Sequence, residues 1–112
     1  MPQLDAGALA EQMLAAALPI LIKNAQDAEA FAETEFTKIA QTIVSIGELV
    51  AAGQINQQQA GLLLDMQKSA SRTVLLTLKG LALLAVEEAI NAALDVVAGA
   101  VNVALGFKLI PV

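Results

Sequence analysis

The residues best suited to chemistry in this chain are carboxylates that occur in close pairs. Glu33 lies near Glu35 and Glu87 adjoins Glu88, and Asp95 follows Glu87 by about two helical turns. General acid–base catalysis would require one of these groups to be held in an apolar setting. Glu87 is the best candidate, because its neighbours on the predicted helix are Leu83, Leu84 and Asn91.

The same carboxylates have a simpler explanation as the polar edge of an apolar helix. Glu87, Asn91 and Asp95 recur at helical spacing and fall near one line. The chain has no His and no Cys, which removes the commonest general base, thiolate chemistry and the Glu-x-x-His ligands of di-iron bundles. Nucleotide-binding glycine motifs are also missing. The sequence therefore predicts a protein that is not an enzyme and uses no metal or organic cofactor.

Three of the six basic residues lie on one predicted helix. Lys68, Arg72 and Lys79 form a short stripe, opposite in sign to the acidic stretch from Asp27 to Glu35. Pairing of the two would set helix register, and contact with anionic lipid is the alternative. A net charge of -5 and an aromatic content of 3% disfavour nucleic acid as a partner.

The composition indicates helices with more apolar surface than usual. Hydrophobic residues make up 57% of the 112 residues, against the roughly 45–50% typical of soluble domains. A chain of this length has room for one domain. The apolar excess predicts contact with other copies, with another protein or with lipid, although the charge-free runs 12–22 and 96–107 are short for a span of about 20 residues.

The patterns predict a single all-α domain over residues 1–112, built as an antiparallel helical hairpin that assembles into a bundle. A short helix covers 6–18, with Asp5 as its cap and Pro19 ending or kinking it. A second helix covers 24–52.

Turn residues separate the second helix from a long third one. Gly53 suits a left-handed helix end, and Asn56 with Gln59 forms a capping pair. The third helix is predicted over 57–106, about 75 Å if unbroken, with a bend or close contact at Gly80. The apolar tail 107–112 is expected to dock in a groove.

Two apolar series are predicted to form an oligomer or partner interface. On the second helix they step by three and four residues, as in a coiled coil, and on the third they include leucines and alanines spaced for close helix approach. Leu81 and Leu84 are also expected to behave as core, and Leu83 to lie on the polar line. The predicted interface residues are Phe36, Ile39, Ile43, Ile46, Val50, Leu78, Leu81, Leu84, Ala85, Ala89 and Ala93.

The favoured function is a non-enzymatic structural or assembly protein. It would bury an apolar helical face by forming a homo-oligomer or by docking into a large multi-copy complex, such as a virion or an injection apparatus. The alternative is a membrane-active protein that inserts as an oligomer, with Arg72, Lys79, Glu87, Asn91 and Asp95 lining a pore.

Overall fold

A computed structural model describes residues 4–23 and 25–111, which form four helices. The helices are α1 (Ala6–Ile22), α2 (Ala28–Ala51), α3 (Gln57–Leu76) and α4 (Leu83–Leu105), and no strand occurs among the described residues. They pack into one compact bundle, 42 Å long and 22 Å across. The predicted all-α class and helical bundle are confirmed.

The helices run in alternating directions around the bundle. Helix α1 packs extensively on α2 and on α4, α2 packs on α3, and the contact between α3 and α4 is the sparsest of the four neighbouring pairs. Short connections make sequential helices antiparallel. The α1–α2 and α3–α4 connections therefore share one end of the bundle, which we call the loop end. At the opposite end Gly47 of α2 approaches Leu105 of α4, where an added Cβ would lie 3.2 Å from Cδ2.

Aliphatic side chains and alanines fill the core. Met13, Leu21, Phe36, Ile43 and Ile90 are among its largest fully buried residues. Many other buried positions are alanines, including several on α2 and α4. Small side chains let the helix backbones approach closely, so one small bundle can enclose much of the apolar content of this sequence.

The single helix predicted over 57–106 is wrong, because the chain breaks at residues 77–82. Thr77 and Leu78 bond back only three residues, to Val74 and Leu75, and Gly80 has a φ of 96°. The break lets α4 fold back along α1 and bury nine of its residues. A straight helix of about 75 Å would have left that face uncovered.

Two other helix boundaries differ from the predicted ones. Pro19 does not end the first helix, which continues to Ile22. Pro19 and Ala15 are both exposed, so water can solvate the Ala15 carbonyl that lacks a proline N–H donor. The second helix begins at Ala28, preceded by a turn at 26–27, and not at residue 24, which lies outside the described residues.

The predicted helix caps are confirmed. The Asp5 carboxylate accepts a hydrogen bond from the Gly7 N–H at 2.9 Å. Gly53 has a φ of 71°, in the left-handed region that favours glycine. The Asn56 side chain accepts from the Gln59 N–H and the Gln59 side chain accepts from the Asn56 N–H, at 2.8 Å and 3.0 Å. Together these groups fix the start of α1 and the α2–α3 hairpin.

The described part of the C-terminal tail, residues 107–111, docks as predicted; Val112 lies outside the described residues. Gly106 has a φ of 80° and turns the chain, and Leu109 and Ile110 are buried. The Asn102 carboxamide holds them: its oxygen accepts from the Leu109 and Ile110 N–H groups at 2.9 Å and 3.0 Å, and its nitrogen donates to the Ile110 carbonyl at 2.8 Å.

The break changes the expectation for Leu84. Leu81 is 8% exposed and Leu84 is 72% exposed, so only Leu81 belongs to the core. We expect Leu81→Ala to lower the free energy of unfolding by roughly 2–5 kcal/mol and Leu84→Ala to change it by less than about 0.5 kcal/mol. Urea unfolding of the two variants measures both values. Equal losses would contradict the burial of Leu81 and the exposure of Leu84.

Removal of the Asn102 carboxamide should release the tail. We expect Asn102→Ala to lower the free energy of unfolding by roughly 2 kcal/mol, because it leaves backbone groups of residues 109 and 110 without their partners. Asn91→Ala, an exposed position on the same helix, is the matched control. Amide hydrogen exchange at Leu109 and Ile110 should accelerate only in Asn102→Ala; unchanged protection there would show that other contacts hold the tail.

Candidate interaction surfaces

The best carboxylate candidate for chemistry, Glu87, is engaged in an ion pair. Its Oε1 lies 2.6 Å from Nε of Arg72, which joins α3 to α4. The Arg72 Nε is buried and is not oriented for a hydrogen bond, so the contact is best described as an ion pair. Both side chains remain partly exposed, at 28% for Arg72 and 40% for Glu87. Helix pairing therefore accounts for Glu87 without catalysis.

The other carboxylate pair is separated by the fold. Glu35 is buried and its Oε2 lies 3.2 Å from the Lys38 Nζ, whereas Glu33 is exposed. The two carboxylates thus have different surroundings and do not share a cleft. Within residues 4–23 and 25–111, no group of three or more acidic side chains is placed to hold a metal ion.

An open groove of about 550 Å³ lies between α2 and α3. Lys38 and Ser45 line it, but they stand seven residues apart on one helix, about 10 Å along its axis, too far for a nucleophile and its base. Thr42 donates to Gln67 at 3.4 Å, and Gln67 donates to the Ser71 hydroxyl at 3.1 Å. The groove is lined by amides, hydroxyls, the Lys38 side chain and aliphatic walls.

The predicted interface on α2 is part of the core of the same chain. Phe36, Ile39, Ile43 and Ile46 are fully or almost fully buried, and Val50 is partly buried against them. Helices α1 and α3 supply most of the covering contacts. We call these five residues the seam on α2. A partner could reach the seam only if the bundle opened. Its predicted place in an intermolecular surface is therefore corrected to a place in the core of the chain.

The predicted interface on the third helix divides between core and surface. Ala89 and Ala93 are fully buried, Leu81 is buried, and Leu78 and Ala85 pack partly against the core. The alanine spacing therefore serves helix contact within the chain. Leu84 alone of these residues is largely exposed and stays a candidate for contact with a partner.

Five of the nine large apolar side chains that are exposed among the described residues lie at the loop end. Each of them lies within about one turn of a helix terminus there: Ile22 at the end of α1, Phe31 at the start of α2, Leu76 at the end of α3, and Leu83 and Leu84 at the start of α4. We call these five residues the loop-end face. Of these five residues, only Leu84 was predicted to contact a partner. The other four were missed because their shared place at one end of the bundle depends on the break at 77–82. Gly80 was the only local signal of that break.

Other exposed apolar side chains occur in smaller sets along the sides of the bundle. Leu62 and Met66 lie one turn apart on α3, and Val96 and Val103 lie two turns apart on α4. The loop-end face has more large apolar side chains and includes an aromatic ring, a residue type enriched at interfaces. It is the strongest candidate surface among the described residues.

Comparison with models of known protein families, with curated proteins and with solved structures found no match for this chain. Across residues 4–23 and 25–111, none of the helices combines the length and apolar character that crossing a bilayer would require. The function must therefore be inferred from the residues and surfaces of the chain itself.

The pairing of Arg72 with Glu87 can be measured by a double-mutant cycle. We expect Arg72→Ala and Glu87→Ala to couple by about 0.5–1 kcal/mol in the free energy of unfolding, a modest value because water screens both side chains. The cycle of Arg72 with the exposed Glu88 is the control and should show less coupling. Equal coupling in the two cycles would contradict a specific ion pair.

Proposed function

We propose that this chain is a non-enzymatic assembly protein that associates with copies of itself or docks into a larger multi-copy complex. The observation that carries the proposal is the loop-end face, where Phe31, Leu83, Leu84 and two further large apolar side chains are exposed, in addition to the smaller exposed sets along the sides of the bundle. Several large apolar side chains left exposed near one end of a small domain favour a protein interface there.

The driving force for association differs from the one expected from composition alone. The bundle encloses the seam on α2 and the alanine series on α4, so most of the apolar excess is satisfied within one chain. What is left, among the described residues, is nine exposed large apolar side chains, five of them at the loop end. The proposal is therefore a chain that folds alone and then associates.

The surroundings of the polar groups support a role without catalysis. Glu87 is paired with Arg72, Glu35 with Lys38, and in the groove between α2 and α3 the Thr42 hydroxyl donates to the Gln67 side chain. These contacts position helices. They agree with a protein whose function lies in its shape and its surface.

The alternative of an oligomeric pore loses its main structural premise. It required Arg72, Lys79, Glu87 and Asp95 to lie along one continuous helix. The break at 77–82 places Arg72 on α3 and Glu87 on α4, facing each other. No observed feature favours the pore over assembly.

Self-association predicts a concentration-dependent mass in solution. We expect sedimentation equilibrium without detergent to show the 11.6 kDa chain at low micromolar concentration and a defined oligomer at several hundred micromolar, since a small interface binds weakly. A single copy at every concentration, with no oligomer in the presence of 0.5 M sodium sulfate, would contradict self-association.

A further inference from the structure

The turn between α3 and α4 is weakly specified by its own residues. From the start of α3 to the end of α4 the sequence contains no proline, and four of the six residues at 77–82 are leucine, lysine or alanine, which are good helix formers. Ala82 stands at the N-cap position of α4 and makes no side-chain cap hydrogen bond. The turn between α2 and α3, by contrast, has Gly53 and the capping box at Asn56. The break at 77–82 therefore depends on packing elsewhere in the chain.

A continuous helix through this turn would improve its backbone geometry. Two helix ends meet at the break, and helix ends leave backbone groups without the hydrogen-bond partners of a helix interior. Thr77 and Leu78 bond back only three residues, to Val74 and Leu75. Gly80, with a φ of 96°, would return to the ordinary helical region. Only the packing of α4 on the rest of the bundle opposes straightening.

From these observations we propose that two copies of the chain exchange α4: residues 77–82 straighten into helix, and α4 of each copy packs along α1 of the other. The inference rests on the proposed function and specifies how self-association occurs. Exchange of an identical element keeps the contacts of that element, so it is a low-cost route to a dimer. The surface that receives the exchanged helix is already complementary to it, because α1 packs extensively on α4 within one chain.

The contact between α3 and α4 passes between the copies in the same way. Within one chain it is sparse and includes the ion pair of Arg72 with Glu87. In an exchanged pair the two straightened helices run antiparallel, and Arg72 of each copy lies beside Glu87 of the other. The ion pair is thus kept, and it joins two copies instead of two helices of one copy.

Exchange requires α4 to leave its own α1. Nine residues of α4 are buried in the bundle, so their release exposes a large part of the core. We therefore expect exchange to take place while chains fold together at high concentration, which is when domain swapping is characteristic.

A substitution at Gly80 should promote the exchange. Alanine is unfavourable at a φ of 96° and favourable in a continuous helix. We expect Gly80→Ala to raise the association constant at least about tenfold, because both copies gain from straightening. Gly99→Ala is the matched control: it lies inside α4, where an added Cβ meets no atom within 4 Å, and should leave the association constant within about twofold.

A proline at residue 83 should prevent the exchange and keep the single-chain fold. Leu83 is the first residue of α4, where proline is well tolerated, and Ala82 before it already has the extended angles that a following proline favours, with φ -95° and ψ 160°. In a continuous helix the same proline would remove a hydrogen bond and clash with the preceding turn. Leu83→Ala removes the leucine without this block and should still exchange. Circular dichroism and melting temperature show that the Leu83→Pro bundle is folded.

A distance within one chain identifies the exchange directly. Leu62 and Val103 are 58% and 76% exposed, and the chain has no cysteine, so Leu62→Cys with Val103→Cys accepts two spin labels. In the closed bundle both positions lie near the end opposite the loop end, across a width of 22 Å. In a straight helix they are about 60 Å apart. Electron double resonance, with an excess of unlabelled chain, measures the distance within each labelled chain.

The chains are unfolded in guanidinium, refolded at low and at several hundred micromolar concentration, and separated by size. A dimer with the long distance between residues 62 and 103, enriched in Gly80→Ala and absent in Leu83→Pro, supports the exchange. An oligomer that keeps the short distance, or that forms undiminished in Leu83→Pro, overturns the exchange and leaves self-association standing. A chain that stays a single copy after refolding at every concentration, in Gly80→Ala as well, overturns the exchange and self-association together.

Discussion

The return of α4 along α1 is the contact on which the rest of the structure depends. It buries nine residues of α4, among them Val86, Ile90, Val97 and Val101, which would otherwise have no cover. Their burial provides hydrophobic free energy that favours a broken helix over a continuous one. The turn at 77–82, the pairing of Arg72 with Glu87 and the four-helix bundle all follow from this return.

The packing of α4 along α1 also determines which apolar side chains stay exposed to solvent. Closing a bundle leaves the helix termini at its ends, and a first-turn residue such as Leu84 has no neighbouring helix beyond it. The loop-end face is thus a consequence of where the chain turns. Alanines in the core allow the helices to approach closely, but four large apolar side chains also stay exposed along the sides of α3 and α4.

The polar groups serve the architecture of the bundle. Asn102 holds the C-terminal tail by hydrogen bonds. Gln67 links Thr42 of α2 to Ser71 of α3. Lys38 forms an ion pair with the buried Glu35. Buried polar groups are costly unless partnered, and these partners are all supplied within the chain.

The sequence by itself determined the helical class, the cap at Asp5, the capping box at Asn56 and the glycine turn at Gly53, because these depend on neighbours within a few residues. The docking of the tail also followed from its apolar pattern. Only the tertiary structure decided where the predicted long helix breaks, that Phe36 and Ile43 face inward and that Leu84 faces outward. Local pattern shows that a face is apolar, whereas what covers that face depends on helices far away in the chain.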